Sequence, residues 1–184
     1  MTALHHLGYW VDDLDAAVER ATRTLGIGPF LVHRHVAFDD FTLADGTTVK
    51  DPAYFDHTAA FAAWGPVVLE LGVVHTVHPD LAEAYGIRTG ALGHVSWVVE
   101  DLEYESARLE ELGCALIHTA SSGAVNVAWH SGGPLFPHPI EVHRAGPPIL
   151  GMHARLAALA EDWDGTDPLR PIQPVQPAVQ EVHP

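Results

Sequence analysis

The feature that most constrains the fold is an internal repeat whose two copies lie 88 residues apart. The first copy reads HHLGYWVDDL at residues 5–14, and the second reads GHVSWVVEDL at residues 93–102. His6 aligns with His94, and an Asp-Leu pair ends both copies. Each copy then enters a helical pattern that stops at a Leu-Gly pair. Such a repeat predicts two copies of one structural unit.

Each unit also ends in an apolar strand with a glutamate inside it. The first is PVVLELGV with Glu70, and the second is PIEVH with Glu141. A lone buried carboxylate is costly and is normally paired or bound to a metal. The two units therefore supply a matched candidate set, His6, Glu70, His94 and Glu141.

The order of strand histidine, Asp-Leu, helix ending at Leu-Gly and final strand glutamate, given twice, resembles the vicinal oxygen chelate superfamily. Its members include glyoxalase I, methylmalonyl-CoA epimerase, extradiol dioxygenases and the fosfomycin and bleomycin resistance proteins. The resemblance spans about residues 3–145. It implies an α+β fold in which two βαβββ modules form a cup-shaped half-barrel, the glyoxalase/bleomycin resistance/dihydroxybiphenyl dioxygenase fold. It also implies one metal held by His6 and Glu70 from module one and by His94 and Glu141 from module two.

We expect three segments in the domain organisation. Residues 1–148 form the domain that carries both modules, with module one at 3–74 and module two at 91–145. Residues 149–163 form a helix that docks on the outside of a module, and 164–184 form a proline-rich tail. The sequence leaves open whether the two modules pair within one chain or between two chains.

Charge and composition limit the classes of molecule that the protein is expected to bind. The 24 acidic residues outnumber the 9 basic ones and give a net charge of −15, so nucleic acid and anionic membranes are poor partners. No run of 18 apolar residues and no signal-like N-terminus is present, which predicts a cytoplasmic location. We expect a small-molecule substrate and a homodimer. The single cysteine, Cys114, is expected to be a packed thiol.

Candidate substrate-binding residues lie on the strands and in an insertion. Module one holds about 17 more residues than module two between its histidine and glutamate, and long insertions often form pockets. The aromatic residues there indicate either an apolar substrate or simple packing at the module edge. Strand alternation should send His33 and His35 to the same side. The substrate-binding candidates are His33, His35, Tyr54, Trp64, His118 and His130.

Two imidazoles and two carboxylates suit a divalent ion such as Zn, Ni, Co, Mn or Fe. An octahedral ion would keep two adjacent positions for a substrate with two neighbouring oxygens. The predicted function is a metal-dependent isomerase, epimerase or lyase that acts through proton abstraction and a metal-stabilised enolate. By the resemblance, Glu141 is the first choice as catalytic base and Glu70 the second.

Positively charged residues that could hold an anionic substrate are few and do not cluster, which favours a small, mainly hydrophobic carbonyl compound. Two alternatives stay open. An Fe(II) extradiol-type dioxygenase needs only two histidines and one carboxylate. A non-catalytic binding protein of the resistance type would bind a small molecule without a metal.

Overall fold

The computed structural model describes residues 4–36 and 38–172, so the predicted tail beyond residue 172 lies outside the described residues. The strands are β1 (Leu4–Trp10), β2 (Phe30–Val36), β3 (Asp40–Leu43), β4 (Thr48–Val49), β5 (Phe55–Trp64), β6 (Val67–Val77), β7 (Leu92–Val99), β8 (Leu116–Ser122), β9 (Val125–His130), β10 (Ile140–Arg144) and β11 (Leu169–Pro171). The helices are α1 (Leu14–Leu25), α2 (Pro79–Tyr85), α3 (Leu102–Glu111) and α4 (Pro147–Glu161), and a 3-10 turn covers Pro52–Tyr54. None of these helices is long and apolar enough to cross a membrane.

The described strands form one sheet in the order β11-β2-β5-β6-β1-β7-β10-β9-β8-β3-β4. Module one contributes β2-β5-β6-β1 and module two contributes β7-β10-β9-β8, so each half mirrors the other. The two modules meet where β1 pairs antiparallel with β7, which joins them within one chain. This curved, unclosed sheet with helices packed on it confirms the predicted α+β fold of two βαβββ modules.

Local sequence explains the first strand and helix. The alternation of β1 buries His6, Gly8 and Trp10 on one face, while its other face turns toward α1. Asp13 caps α1 by accepting a hydrogen bond from the backbone N–H of Ala16 at 3.0 Å. Asp101 caps α3 in the same way, so the Asp-Leu pair of the repeat is a helix start in both modules.

The insertion of module one is more regular than its sequence indicates. Residues 40–49 form β3 and β4, and β3 pairs antiparallel with β8, so the insertion extends the sheet of module two. On the other side, β11 pairs with β2 and extends the sheet of module one. Each module therefore has its outer edge covered by a segment that the repeat does not contain.

The C-terminal helix lies on the concave face of the sheet, and our expectation that it docks on the outside is wrong. Its Leu156 packs against Leu31 and Val68, whose neighbours Val32 and Leu69 face α1 on the convex side. The helix also begins at Pro147, earlier than predicted, because proline is well suited to the first turn of a helix.

Candidate metal centre

The four residues predicted from the repeat come together in the middle of the concave face. His6, Glu70, His94 and Glu141 lie on β1, β6, β7 and β10, which are consecutive in the sheet. Each of the four is at most 6% exposed. The His6 Nε2 atom lies 2.8 Å from Glu141 Oε2, 3.3 Å from Glu70 Oε2 and 3.1 Å from His94 Nε2. His94 Nε2 lies 3.4 Å from Glu70 Oε2 and 3.7 Å from Glu141 Oε2.

This spacing fits ligands that share one divalent ion. Donor atoms about 2.1 Å from a metal, at octahedral or tetrahedral angles, lie roughly 3.0–3.4 Å from one another. Glu141 Oε2 is buried, and three imidazole nitrogens lie 2.8–3.7 Å from it. A buried carboxylate oxygen among imidazole nitrogens is well matched to a shared cation.

His143 is a site residue that the repeat pattern did not predict. It lies on β10 two residues after Glu141, and its Nε2 atom is 3.1 Å from Glu141 Oε2. Within the described part of the chain, two groups of three residues are close enough to hold an ion, His6 with Glu70 and His94, and His6 with Glu141 and His143. Strand alternation from Glu141 could have identified His143, but the repeat could not, because Gly72 stands at its position in module one.

His5 supports the cluster from the side. Its Nδ1 atom is hydrogen bonded to Nδ1 of His6 at 2.8 Å, and its Nε2 atom lies 3.3 Å from the carbonyl oxygen of Ile149 on α4. Burial, together with the charges of His6 and His143, lowers the pKa of His5 to about 4. A neutral His5 can therefore fix the ring orientation of His6.

The two carboxylates are held in their charged form. Burial raises the pKa of Glu141, but the charges of His143 and His6 outweigh it, so the pKa lies well below its usual value. Burial also raises the pKa of Glu70, and the hydrogen bond and charge of His94 bring it below its usual value. The centre therefore presents negatively charged oxygens to an ion.

A cavity of about 310 Å³ opens onto this cluster. His33 lines it, as do apolar side chains from β2, β5 and α4. The further lining residues outside the cluster are Trp10, Val36, Phe38, His57, Phe61, Ser122, Val125, Trp129, Pro148, Ile149, Met152 and Ile172. No lysine or arginine of the described residues lines this cavity.

Five other predicted substrate-binding residues do not line the cavity. His35 departs from strand alternation because the pairing of β2 with β5 shifts register after His33 and because the φ angle of His35 is 52°. Its Nδ1 atom lies 2.9 Å from Oδ2 of Asp56. Tyr54 packs among aromatic rings, with its own ring stacked on His78. Trp64 is 38% exposed, beside α1 on the outer face.

The two remaining histidines, His118 and His130, have structural partners. His118 is fully buried and hydrogen bonded to the hydroxyl of Tyr85. His130 donates from Nδ1 to the carbonyl of Cys114 at 3.0 Å, which leaves Nε2 to accept from the hydroxyl of Ser106 at 2.8 Å. Both rings are thereby fixed away from the cavity.

Three strand glycines make room for the site. A Cβ atom on Gly8 would lie 2.0 Å from Cε1 of His94, so the ring of His94 lies over this glycine. A Cβ atom on Gly72 or Gly93 would lie 2.6 or 2.5 Å from the indole of Trp10. Glycines inside strands are the sequence signal for such close approach.

Comparisons with known proteins agree with this architecture. A model of the Glyoxalase/Bleomycin resistance protein/Dioxygenase superfamily matches residues 5–129. No curated protein matches the chain. Hypothetical protein BH1468 from Bacillus halodurans C-125 is 17% identical, covers 79% of this chain and 95% of its own, and has a TM-score of 0.51. At this identity the likeness shows the fold alone.

Two epimerase structures are also similar. Methylmalonyl-CoA epimerase from Mycobacterium tuberculosis is 17% identical over 80% of this chain and 91% of its own, with a TM-score of 0.47. A variant of Streptomyces coelicolor methylmalonyl-CoA epimerase, in complex with 2-nitronate-propionyl-CoA, is 13% identical over 79% and 99%, with a TM-score of 0.46.

Proposed function

Because the chain belongs to the glyoxalase/bleomycin resistance protein/dioxygenase superfamily, we propose that it is a metal-dependent isomerase, epimerase or lyase. Its substrate is a small, mainly apolar carbonyl compound, and the reaction begins with removal of a proton from the carbon beside the carbonyl group. Homodimer formation and a cytoplasmic location stay predictions.

One observation carries this proposal. Four buried donor atoms from four neighbouring strands, two imidazole nitrogens and two carboxylate oxygens, lie 2.8–3.7 Å apart in the pairs measured above. Such a set holds Zn, Ni, Co, Mn or Fe better than Ca or Cu(I). A divalent ion bound there would supply Lewis-acid stabilisation of negative charge on a substrate oxygen.

The chain itself supplies the proton acceptor. Glu141 is our first choice and Glu70 the second, because both carboxylates are ionised and face the cavity. His143, 3.1 Å from Glu141 Oε2, can hold that carboxylate in place while one of its oxygens takes the proton. His6 and His94 would remain on the ion, with His5 fixing the ring of His6.

The cavity limits what can enter. At about 310 Å³ it lies at the small end of ligand pockets. Apolar side chains from α4, among them Ile149 and Met152, form part of its wall. A carbonyl compound with an apolar body fits these conditions.

A second candidate, an Fe(II) extradiol-type dioxygenase, is favoured by the other grouping of ligands. His6, Glu141 and His143 form a set of two histidines and one carboxylate without Glu70. This candidate predicts that bound metal survives Glu70→Ala and is lost in His143→Ala.

Hydrogen exchange in deuterated water tests the main proposal. In the presence of the protein, small α-hydroxyketones should exchange the proton beside the carbonyl group for deuterium, and NMR measures the rate of this exchange. Glu141→Gln should lower the rate by about 100-fold or more, within the range of general base catalysis. Trp64→Phe, on the outer face, should leave it unchanged. Exchange that survives both Glu141→Gln and Glu70→Gln contradicts the assignment.

A further inference from the structure

Three apolar side chains of the cavity have no role in the proposed proton transfer. All three pack against the buried cluster of Leu31, Val68 and Leu156, so they form one surface. We call this surface the apolar wall, and it consists of Phe61 on β5, Met152 on α4 and Ile172, which follows β11.

Each side chain of the apolar wall is only partly buried. For Phe61 this is unexpected, because β5 lies between β2 and β6 inside the sheet and the neighbouring Ala60 and Ala62 are fully buried. All three side chains line the cavity, so the surface that they leave uncovered lies there. Apolar surface that lines a cavity is typical of a site for an apolar ligand group.

The apolar wall lies beside one residue of the candidate metal centre. Phe61 is the cross-strand partner of Glu70, so both side chains lie on the concave face. His94 and Glu141 come from module two, on the other side of β1. A substrate whose oxygens reach the His/Glu cluster therefore has room for its apolar body on the module one side, over Phe61.

Two of the three residues come from segments outside the repeat. Met152 lies between Ile149 and Leu156 at helical spacing, so one face of α4 carries all three toward the sheet. Ile172 is held by its backbone N–H, which donates to the carbonyl oxygen of Val32 at 3.0 Å and continues the pairing of β11 with β2. Both residues are thereby fixed over the concave face of module one.

We propose that the apolar wall binds the hydrophobic body of the substrate and that Met152 and Ile172 limit the length of that body. This inference deepens the proposed function and rests on it for the use of the wall in turnover. The binding preference itself is a property of the cavity. The substrate class is then an uncharged carbonyl compound with an apolar group of limited length.

A series of 1-hydroxy-2-alkanones of increasing chain length tests the apolar wall. Their dissociation constants are measured by calorimetry on the full chain. In the wild type the affinity should rise by about 3- to 4-fold for each added methylene group, because each one covers more apolar surface. The rise should stop at a limiting chain length, where the ligand reaches Met152 and Ile172. An affinity that is independent of chain length, that rises without a limit, or that never saturates would overturn the proposal.

Variants then assign the limit to these two residues. Met152→Ala and Ile172→Ala should each move the limiting chain length upward by about one to three carbons, because truncation leaves space at that end of the wall. Met152→Leu keeps the volume and should preserve the limit. Leu150→Ala is the matched control, since Leu150 lies on the same helix but is 59% exposed and does not line the cavity.

Two results in the variants would contradict the proposal. One is the same limiting chain length in wild type, Met152→Ala and Ile172→Ala. The other is an equal loss of affinity at every chain length in both truncation variants, because that result indicates lost packing rather than a changed length limit.

The same titrations, repeated on protein treated with chelator, separate this inference from the proposed function. If the protein holds no stoichiometric metal but Met152→Ala still moves the limit, the apolar wall stands and the metal-dependent reaction fails. If metal is bound and proton exchange depends on Glu141 but the limit does not move, the inference about the wall fails alone.

Discussion

The two modules place their His/Glu pairs in the same way but differ in what covers their concave faces. On module one the cover is α4, which places Leu156 against Leu31 and Val68. On module two it is an aromatic cluster of Phe41, Tyr54 and Tyr85 from the insertion and α2, packed against Trp129. The His/Glu cluster lies between these covers. The repeat thus sets the centre of the site, while segments outside the repeat set the shape of its cavity.

The largest effect is expected in the aromatic cover of module two. Phe41 is fully buried, so Phe41→Ala should lower the free energy of unfolding by about 3–5 kcal/mol, measured by urea denaturation. Phe136→Ala is the control, since Phe136 is 37% exposed and lies outside this cluster. A loss below about 1 kcal/mol for Phe41→Ala would mean that this cover is not a true core.

The aliphatic cover of module one should be slightly less sensitive. Leu156→Ala removes a buried contact between α4 and the sheet and should cost about 2–5 kcal/mol in the same measurement. Leu150, on the same helix but 59% exposed, should change stability by less than about 0.5 kcal/mol when replaced by alanine. Equal losses in the two variants would contradict the placement of α4 on the concave face.

The junction between the modules can be disturbed at one glycine. Gly8 of module one makes room for the ring of His94 from module two, so Gly8→Ala should displace that ring. We expect metal affinity to fall about 10- to 100-fold, as for groups that orient a ligand, measured by competition with a chelating dye. At Gly151, a Cβ atom would meet no other atom within 4 Å, so Gly151→Ala should leave the affinity unchanged. Unchanged affinity in Gly8→Ala would place His94 outside the coordination shell.

The smallest effect is confined to acid pH and concerns a buried histidine of module two. Burial lowers the pKa of His118 to about 4, so between pH 6.5 and 4 the unfolded chain binds more protons than the folded one. The stability that neutral His118 provides is complete above about pH 6.5 and is lost as the pH falls through this window. Between pH 6.5 and 4, the free energy of unfolding should therefore fall less steeply in His118→Leu than in the wild type. Urea denaturation at each pH measures it. His78→Leu, at an exposed position, should leave it unchanged. Identical slopes for His118→Leu and wild type would contradict a buried neutral His118.

The sequence predicted the parts of the site that repeat. Matched histidines and glutamates identified the cluster because strand alternation carries each to the same face of the sheet. It did not predict His143, whose counterpart in module one is glycine, or His57, whose burial depends on the aromatic cover. The sequence also did not predict on which face of the sheet α4 packs, since an apolar helix face fits either side of a sheet.

His35 shows that strand alternation does not always predict the direction of a side chain. Alternation predicted that it would follow His33 into the cavity, but a register shift and a positive φ turn it toward Asp56. Irregularities of this kind in a strand depend on pairing with β5, a long-range contact that periodicity alone does not report.

Metal content tests the central claim most directly. Elemental analysis is made on protein purified without added metal or chelator, for wild type, Glu70→Ala, His94→Ala and the matched control His33→Ala, whose residue lines the cavity outside the cluster. We predict about one equivalent of a transition metal per chain in the wild type and the control, and loss in Glu70→Ala and His94→Ala. No stoichiometric metal in the wild type, or full retention in both ligand variants, would contradict the account.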